Sequence, residues 1–448
     1  MATMSETDDY PSIDQTEMNS FQMTAVAICL VLNMLDGFDV LVIAFTAPEI
    51  SAEWGLRPEQ LGILFSSGLF GMMAGAFLLA PLADAIGRRP QILLCLTIIA
   101  VGMTASGFVG NLLQLMLLRF FTGVGIGGIL ASINTMVAEY SSQKWRNLSL
   151  SMMHIGYPLG VTLGGISAAF LMSHYGWRSV FILGGVLTAL MILVVIFKLP
   201  ESLDFLLDRQ PPGALKRVNA LLAKLKHQLI EQLPKRPEVS TKDQGIRLIM
   251  QAKYRLPSIL LWLAFFMCMC SQYFLLNWLP QVLVDSGKQL QEGISAGVIM
   301  SVGGMIGMLC LGALTTRWNL VRVLQGYFIF AVCAMVAFGF AGGNWVGSMA
   351  LVFGMGFFLY GAIIGLYMVG AWMYPSSIRT TGVGWAIGIG RFGAILGPYL
   401  AGLLIGAGIE SATYFTLFAA PLLLAAISLL WIKIEHYRHG IELPVAAE

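Results

Sequence analysis

Asp36 and Asp39 stand three residues apart inside the apolar run LNMLDGFDVLVIAF. Positions i and i+3 share one face of a helix. Two carboxylates one turn apart in a low-dielectric setting cannot both ionise cheaply, so such a pair is suited to taking up and releasing a proton. Two cations lie in similar surroundings, Arg119 in LRFFTGVGIGGILA and Arg391 in GRFGAILGP. A guanidinium there can offset a neighbouring carboxylate or grip the carboxylate of a ligand in bidentate fashion. His154, in MMHIGYPLG, adds an imidazole that ordinarily titrates near neutrality.

These groups must be held by membrane-spanning helices. The chain of 448 residues is 57% hydrophobic and only 11% charged, which leaves too little polar surface for a water-soluble protein of this size. Apolar stretches long enough to cross a bilayer recur near 22–48, 58–80, 91–110, 112–138, 147–171 and 178–198. A second set follows near 257–280, 294–314, 323–341, 345–371, 381–406 and 411–433. The expected fold is an all-α polytopic membrane protein with twelve transmembrane helices. Its division is a tail (1–20), a six-helix bundle (21–198), a polar linker (199–255) carrying a short amphipathic helix, a second bundle (256–434) and a tail (435–448). A charge near the centre of a membrane helix costs roughly 2.5–3.5 kcal/mol on insertion scales, so Asp36, Asp39, Arg119 and Arg391 each call for a reason.

Of the 26 Lys and Arg, only Arg57, Arg178 and Lys288 fall on the side opposite the linker, with Arg119 and Arg391 inside spans. That asymmetry puts both termini in the cytoplasm. The first twenty residues lack the basic start and short apolar core of a signal peptide, so the first span is expected to persist in the mature protein. The six cysteines all fall in spans and suggest neither a disulfide framework nor a zinc site. Glycines recur at small-xxx-small spacing, as in Gly71/Gly75, Gly123/Gly127, Gly156/Gly160/Gly164, Gly303/Gly307, Gly361/Gly365 and Gly393/Gly397. Such spacing lets helix backbones approach closely in lipid.

The loop APLADAIGRRP after the second span resembles the signature of the major facilitator superfamily, with Asp84, Gly87, Arg88 and Arg89 in matching positions. Ala80 and Ala85 depart from it, replacing a glycine and a basic residue. GYPLGVTLGG, GWRSVFILGG and LPESLDFLL follow in the order that superfamily shows. In the second half, GALTTRWNLVR is a worn counterpart of the loop, as expected of two bundles in a pseudo-two-fold arrangement. LDGFDV, MVAEY, YPSSIRTTGVG and GRFGAILGP narrow the resemblance to the aromatic acid:proton symporters, carriers of benzoate-like carboxylates in the bacterial inner membrane.

The resemblance implies a carrier that imports an aromatic acid anion together with protons, needs no cofactor and is driven by the proton gradient. It is expected to be a monomer that contacts no nucleic acid. Helical rise places Asp36 and Asp39 about 22–27 Å above the cytoplasmic start of their span and Arg119 about 10 Å below the outside, at comparable levels. Proton coupling is therefore assigned to Asp36, Asp39, Arg119 and Glu139, and the alternative is a purely structural pairing of the aspartates with Arg119. Arg391, about 15 Å deep, is the candidate clamp for a substrate carboxylate, with packing or gating as its alternative. Tyr273, Gln272, Asn277, Tyr360 and Trp385 supply aromatic and polar walls, with Tyr367 nearby on the tenth span. Trp278, just before Pro280, reads as a belt residue at the membrane interface. Asp84, Gly87, Arg88, Arg89 and Arg379 form the loop and gating set. Glu139 and Arg379 are either a gate pair or interfacial charges, and His154 is either a proton relay or a polar core residue.

Other functions fit less well. An exporter or antiporter of organic acids or drugs shares the GYPLGVTLGG element, and an importer of a non-aromatic acid such as muconate shares the rest. A sensor would need a signalling domain that the sequence does not offer. No nucleophile–base set, metal-ligand cluster or phosphate loop supports an enzyme.

Overall fold

The structure is a computed structural model that describes residues 18–142, 144–225, 228–234, 249–341, 345–374 and 376–432. The two expected tails, up to residue 17 and from 433, and the stretch 235–248 of the linker lie outside the described residues. Twelve described helices are long and apolar enough to cross a membrane. They are α1 (Ser20–Trp54), α2 (Pro58–Leu78), α4 (Arg88–Ser106), α5 (Leu112–Tyr140), α6 (Arg146–Tyr175) and α7 (Trp177–Lys198), then α10 (Ala252–Asp285), α11 (Leu290–Thr315), α12 (Leu320–Gly339), α13 (Trp345–Met373), α14 (Ser376–Gly406) and α15 (Ser411–Ser428). Among the described residues there are also the short helices α3 (Ala83–Ile86), α8 (Leu203–Arg209) and α9 (Ala214–Leu225) and a 3-10 turn at Leu429–Trp431.

Local sequence explains where the helices begin. Asn19 caps α1 by accepting from Gln22 N at 3.0 Å, while the Gln22 side chain accepts from Asn19 N at 2.9 Å. Such a capping box satisfies two otherwise orphaned backbone donors. Gly55 stops the helix in the left-handed conformation at φ 60°. The helix runs past the expected end near residue 48 because Pro48 is accommodated within it. Asn111 and Asn319 cap α5 and α12 with their side chains in the same manner.

The chain divides into two compact units, one of residues 1–55 and 67–240 and the other of residues 56–66 and 241–448. In the first unit the helices cross where glycines remove side chains. A Cβ at Gly71 or Gly75 would strike the carbonyls of Phe120 or Val124, and one at Gly123 or Gly127 those of Gly68 or Met72, which joins α2 to α5. Gly156 and Gly160 admit the backbone of α1 at Leu30 and Met34, and Gly164 admits the Phe38 ring. The second unit repeats the device: Gly303 and Gly307 of α11 meet the carbonyls of Phe353 and Phe357 in α13, and Gly393 and Gly397 of α14 meet those of Phe266 and Cys270 in α10. Close backbone approach replaces the hydrophobic drive that lipid cannot supply.

The amphipathic linker helix is α9. Its Val218, Leu221, Leu222 and Leu225 join Leu203, Leu206 and Leu207 of α8 in one buried apolar cluster with Ala25, Val26 and Cys29 of α1 and Tyr140 of α5. Asn19 Nδ2 also donates to Lys224 O at 3.0 Å. The linker is therefore packed on the first unit along this stretch.

Within the second unit, Phe65 near the start of α2 meets Trp278 edge-on at 5.4 Å, and Trp278 Nε1 donates to Pro398 O at 2.9 Å. Trp278 is fully buried. The expectation of an interfacial belt residue is thus corrected, because its indole N–H finds the carbonyl of Pro398 within α14.

Candidate functional site

Polar groups inside the spans gather in two places, one in each unit. In the first, Asp36 and Asp39 are 6% and 1% exposed and Arg119 is 3% exposed. Gly37, between the aspartates, lies directly under the Tyr157 carbonyl of α6. No side chain fits there, so the glycine of the Asp-Gly-x-Asp element is a packing requirement that brings α1 onto α6. Asn33 Nδ2 reinforces the crossing by donating to Met153 O at 2.7 Å.

Arg119 Nη2 donates to the backbone carbonyl of Asp39 at 2.8 Å, and its Nη1 lies 2.9 Å from Met103 Sδ. Its guanidinium carbon stands 5.8 Å from the centre of the Phe181 ring. A carboxylate–guanidinium pairing of Asp39 with Arg119 is the geometry that depth alone suggests, but the hydrogen bond goes to the main chain. Among the described residues Asp39 Oδ1 has no hydrogen-bond partner. That oxygen lies against Gly184 of α7, 3.4 Å from where a Cβ would stand. His154, exposed on α6, has no hydrogen bond to either aspartate among the described residues.

A charged network lies on the linker side of the same unit. Asp84 and Arg88 form an ion pair at 2.8 Å. Gly87 between them has φ +104°, a conformation that a side chain resists, and a Cβ there would come 2.5 Å from the Glu201 carboxylate. Glu201 Oε1 accepts from the backbone N–H of Arg89 at 3.1 Å and of Ser202 at 2.9 Å, while the Arg89 guanidinium donates to the Ile196 carbonyl. Tyr140 donates to the Glu201 carbonyl at 2.5 Å. Glu139, at the end of α5, faces Ser202, Asp204 and Arg88. Asp204, outside the spans, has its carboxyl pushed above the ordinary aspartate range by burial and then by Asp208, against the pull of Arg88 and Arg146. Glu201 is absent from the candidate set drawn from the sequence, although its LPES run was noted; its role shows only once α7 returns to the Gly87 turn.

The second gathering lies in the other unit. Arg391 of α14 is half-buried and makes no hydrogen bond or ion pair among the described residues. The hydroxyl of Tyr367 lies within electrostatic range of Arg391 and of Tyr273, and that of Tyr360 within range of Tyr273. Tyr360 is 5% exposed with its ring over Gly304. Asn277 Nδ2 donates to Tyr273 O at 2.9 Å, and buried Gln272 has an Oε1 without a partner among the described residues. α10, α13 and α14 thus bring one guanidinium and three phenols together. Trp385 is not brought to this group. It is exposed, stands 6.0 Å from Trp262, and shares an exposed stripe with Phe392 and Leu396 on α14. Arg379 donates from Nε to Tyr374 O at 3.3 Å, and Tyr374 donates to Ser258 Oγ at 2.7 Å.

Twelve candidate spans with buried polar groups among them define a multi-pass membrane protein. Residues 29–374 match the model of the Major Facilitator Superfamily, and the chain belongs to that superfamily of secondary transporters, not to any enzyme class. Relatives include the 4-hydroxybenzoate transporter PcaK of Pseudomonas putida, 32% identical over 423 residues, covering 93% of this chain and 94% of that protein. The gallate transporter of Pseudomonas putida is 31% identical over 423 residues, with 93% of each chain covered. The benzoate transport protein of Acinetobacter baylyi is 28% identical over 433 residues, covering 94% of this chain and 91% of that one. Among solved structures, the xylose transporter XylE from E. coli, in a partially occluded inward open conformation, matches with a TM-score of 0.71 at 14% identity, covering 92% of this chain and 98% of that one. That likeness concerns the fold alone.

Proposed function

We propose that this protein imports an aromatic carboxylate by proton symport with alternating access. The observation that carries the reading is the pair of carboxylates buried on one face of α1, with Asp39 Oδ1 lacking a partner among the described residues, in a chain related to hydroxybenzoate, gallate and benzoate transporters. Asp36 and Asp39 bind the coupling proton. Arg119 holds the main chain of α1 at Asp39, and Glu139 with the Asp84–Arg88–Arg89 loop answers to the same cycle from the linker side. Arg391 receives the substrate carboxylate, and Tyr273 flanks the ring with Gln272 and Asn277 beside it, while Tyr360, closed in against Gly304, backs this wall. Trp385, Arg379 and His154 remain candidates for the aromatic wall, the gate and a proton relay.

Bringing an anion into a negative interior costs about 2.3 kcal/mol per charge per 100 mV. One co-transported proton cancels that charge. We take the protein to lie in a bacterial inner membrane with both termini cytoplasmic, and residues 21–198 and 256–434 to act as the two moving bundles. Uptake of labelled benzoate and 4-hydroxybenzoate into proteoliposomes, with and without a pH gradient, tests the reading. Accumulation that depends on an inward proton gradient is expected. Exchange that proceeds equally with none, combined with efflux driven by inward protons, assigns an antiporter instead and overturns it.

A further inference from the structure

Tyr367 comes to Arg391 by way of a shared neighbour. Gly390 seats α14 on α10, since a Cβ there would lie 3.3 Å from Phe265 Cβ and 2.7 Å from Met269 Sδ. The Phe265 ring in turn meets Tyr367 of α13 edge-on, with centroids 5.3 Å apart and planes at 70°. Phe265 is therefore the floor on which the guanidinium-bearing turn of α14 and the phenol of α13 converge. Tyr367 is half-buried and makes no hydrogen bond to another described residue. Tyr360, two turns earlier on the same helix, is by contrast closed in against Gly304.

We propose that Tyr367 donates its phenolic O–H to the carboxylate of the transported acid alongside Arg391, so that the anion site consists of one guanidinium and one phenol. This rests on the reading of the protein as an aromatic acid carrier. A hydroxyl donating to a carboxylate makes a short, charge-assisted hydrogen bond. It adds affinity without a second positive charge, so the loaded site stays neutral with a monoanion and the empty site leaves only one buried cation to stabilise. A second arginine would hold the substrate more tightly and leave the empty carrier with a charge to desolvate.

The test is Tyr367→Phe, which keeps the ring against Phe265 and removes only the donor. Initial-rate uptake of labelled benzoate into proteoliposomes is expected to show KM raised about tenfold, the usual consequence of losing a hydrogen bond to a charged group, with Vmax within twofold of the parent. Isothermal titration of benzoate into the purified variant, beside its thermal melt, reads the same loss of affinity independently of turnover and of folding. An unchanged KM and affinity overturns the role of Tyr367 while leaving the carrier reading intact. A fall in Vmax at constant KM assigns the residue to packing or movement and also overturns the role. A parent protein that takes up and binds none of the aromatic acids overturns the carrier reading, and the role of Tyr367 with it.

Discussion

The aspartate pair of α1 and the arginine of α14 are both charges inside membrane spans, yet their surroundings differ in kind. Around Asp39 the protein is closed: Gly37 is pressed against Tyr157, Gly184 abuts the carboxylate, and Arg119 is committed to the main chain. Around Arg391 it is loose: the guanidinium is half-buried, without a hydrogen bond or ion pair among the described residues, and phenols stand nearby. The smallest possible ligand, a proton, needs no room beyond a lone oxygen. A carboxylate on an aromatic ring needs volume, a fork of donors and flat neighbours. The contrast is what the proposed carrier of a proton and an aromatic carboxylate would require.

The contrast can be broken by exchanging the effects of its two halves. Arg391→Ala should raise KM for benzoate by about 30-fold or more, the cost of truncating a charge partner, while leaving the thermal melt near that of the parent. Proteoliposome uptake with a melt on the same preparation checks it, and an intact KM would remove the loose site from substrate binding. Asp39→Asn should do the reverse. Accumulation driven by a pH gradient is lost, while substrate exchange at equal pH continues, measured by counterflow of labelled acid. Loss of both together would make the closed site structural.

Smaller effects sharpen the comparison. Gly37→Ala forces a methyl group into the Tyr157 carbonyl and should cost about 1–3 kcal/mol of stability, read as a lowered melting temperature with benzoate affinity retained. Asp204→Asn should change least. Because its carboxyl is raised above the ordinary aspartate range, Asp204 favours the fold below that range, and this contribution is lost as pH rises through its raised value. Melting curves across that acidic window should therefore flatten in the variant, by under about 0.5 kcal/mol given its partial exposure to solvent. A difference already present below that window, where both side chains are neutral, would point to lost contacts instead of titration.

Much of the architecture is readable before folding. Twelve apolar stretches, the amphipathic face of α9 and the glycine pairs are local patterns, and each answers to a rule that acts within one helix: bilayer thickness, a 3.6-residue period, or the space that a missing side chain leaves. Trp278 shows where that reading stops. An indole beside a proline near a span end looks interfacial, but Phe65 and the Pro398 carbonyl bury it from elements more than a hundred residues away. Glu201 escaped for the same reason, because its partners at Arg89 and the Gly87 turn belong to a different part of the chain.

The sequence by itself determined that carboxylates and guanidinia lie within membrane helices and that a glycine separates the two aspartates, because the bilayer makes such placements too costly to be incidental. Only the tertiary structure decided which partners they take. Arg119 and the aspartates could meet as charges at one depth, but helix rotation and the α1–α6 contact at Gly37 direct the guanidinium to the Asp39 carbonyl and leave the carboxylate oxygen without a donor. Depth follows from counting residues along one helix. Orientation depends on how neighbouring helices pack, and no single stretch of chain encodes it.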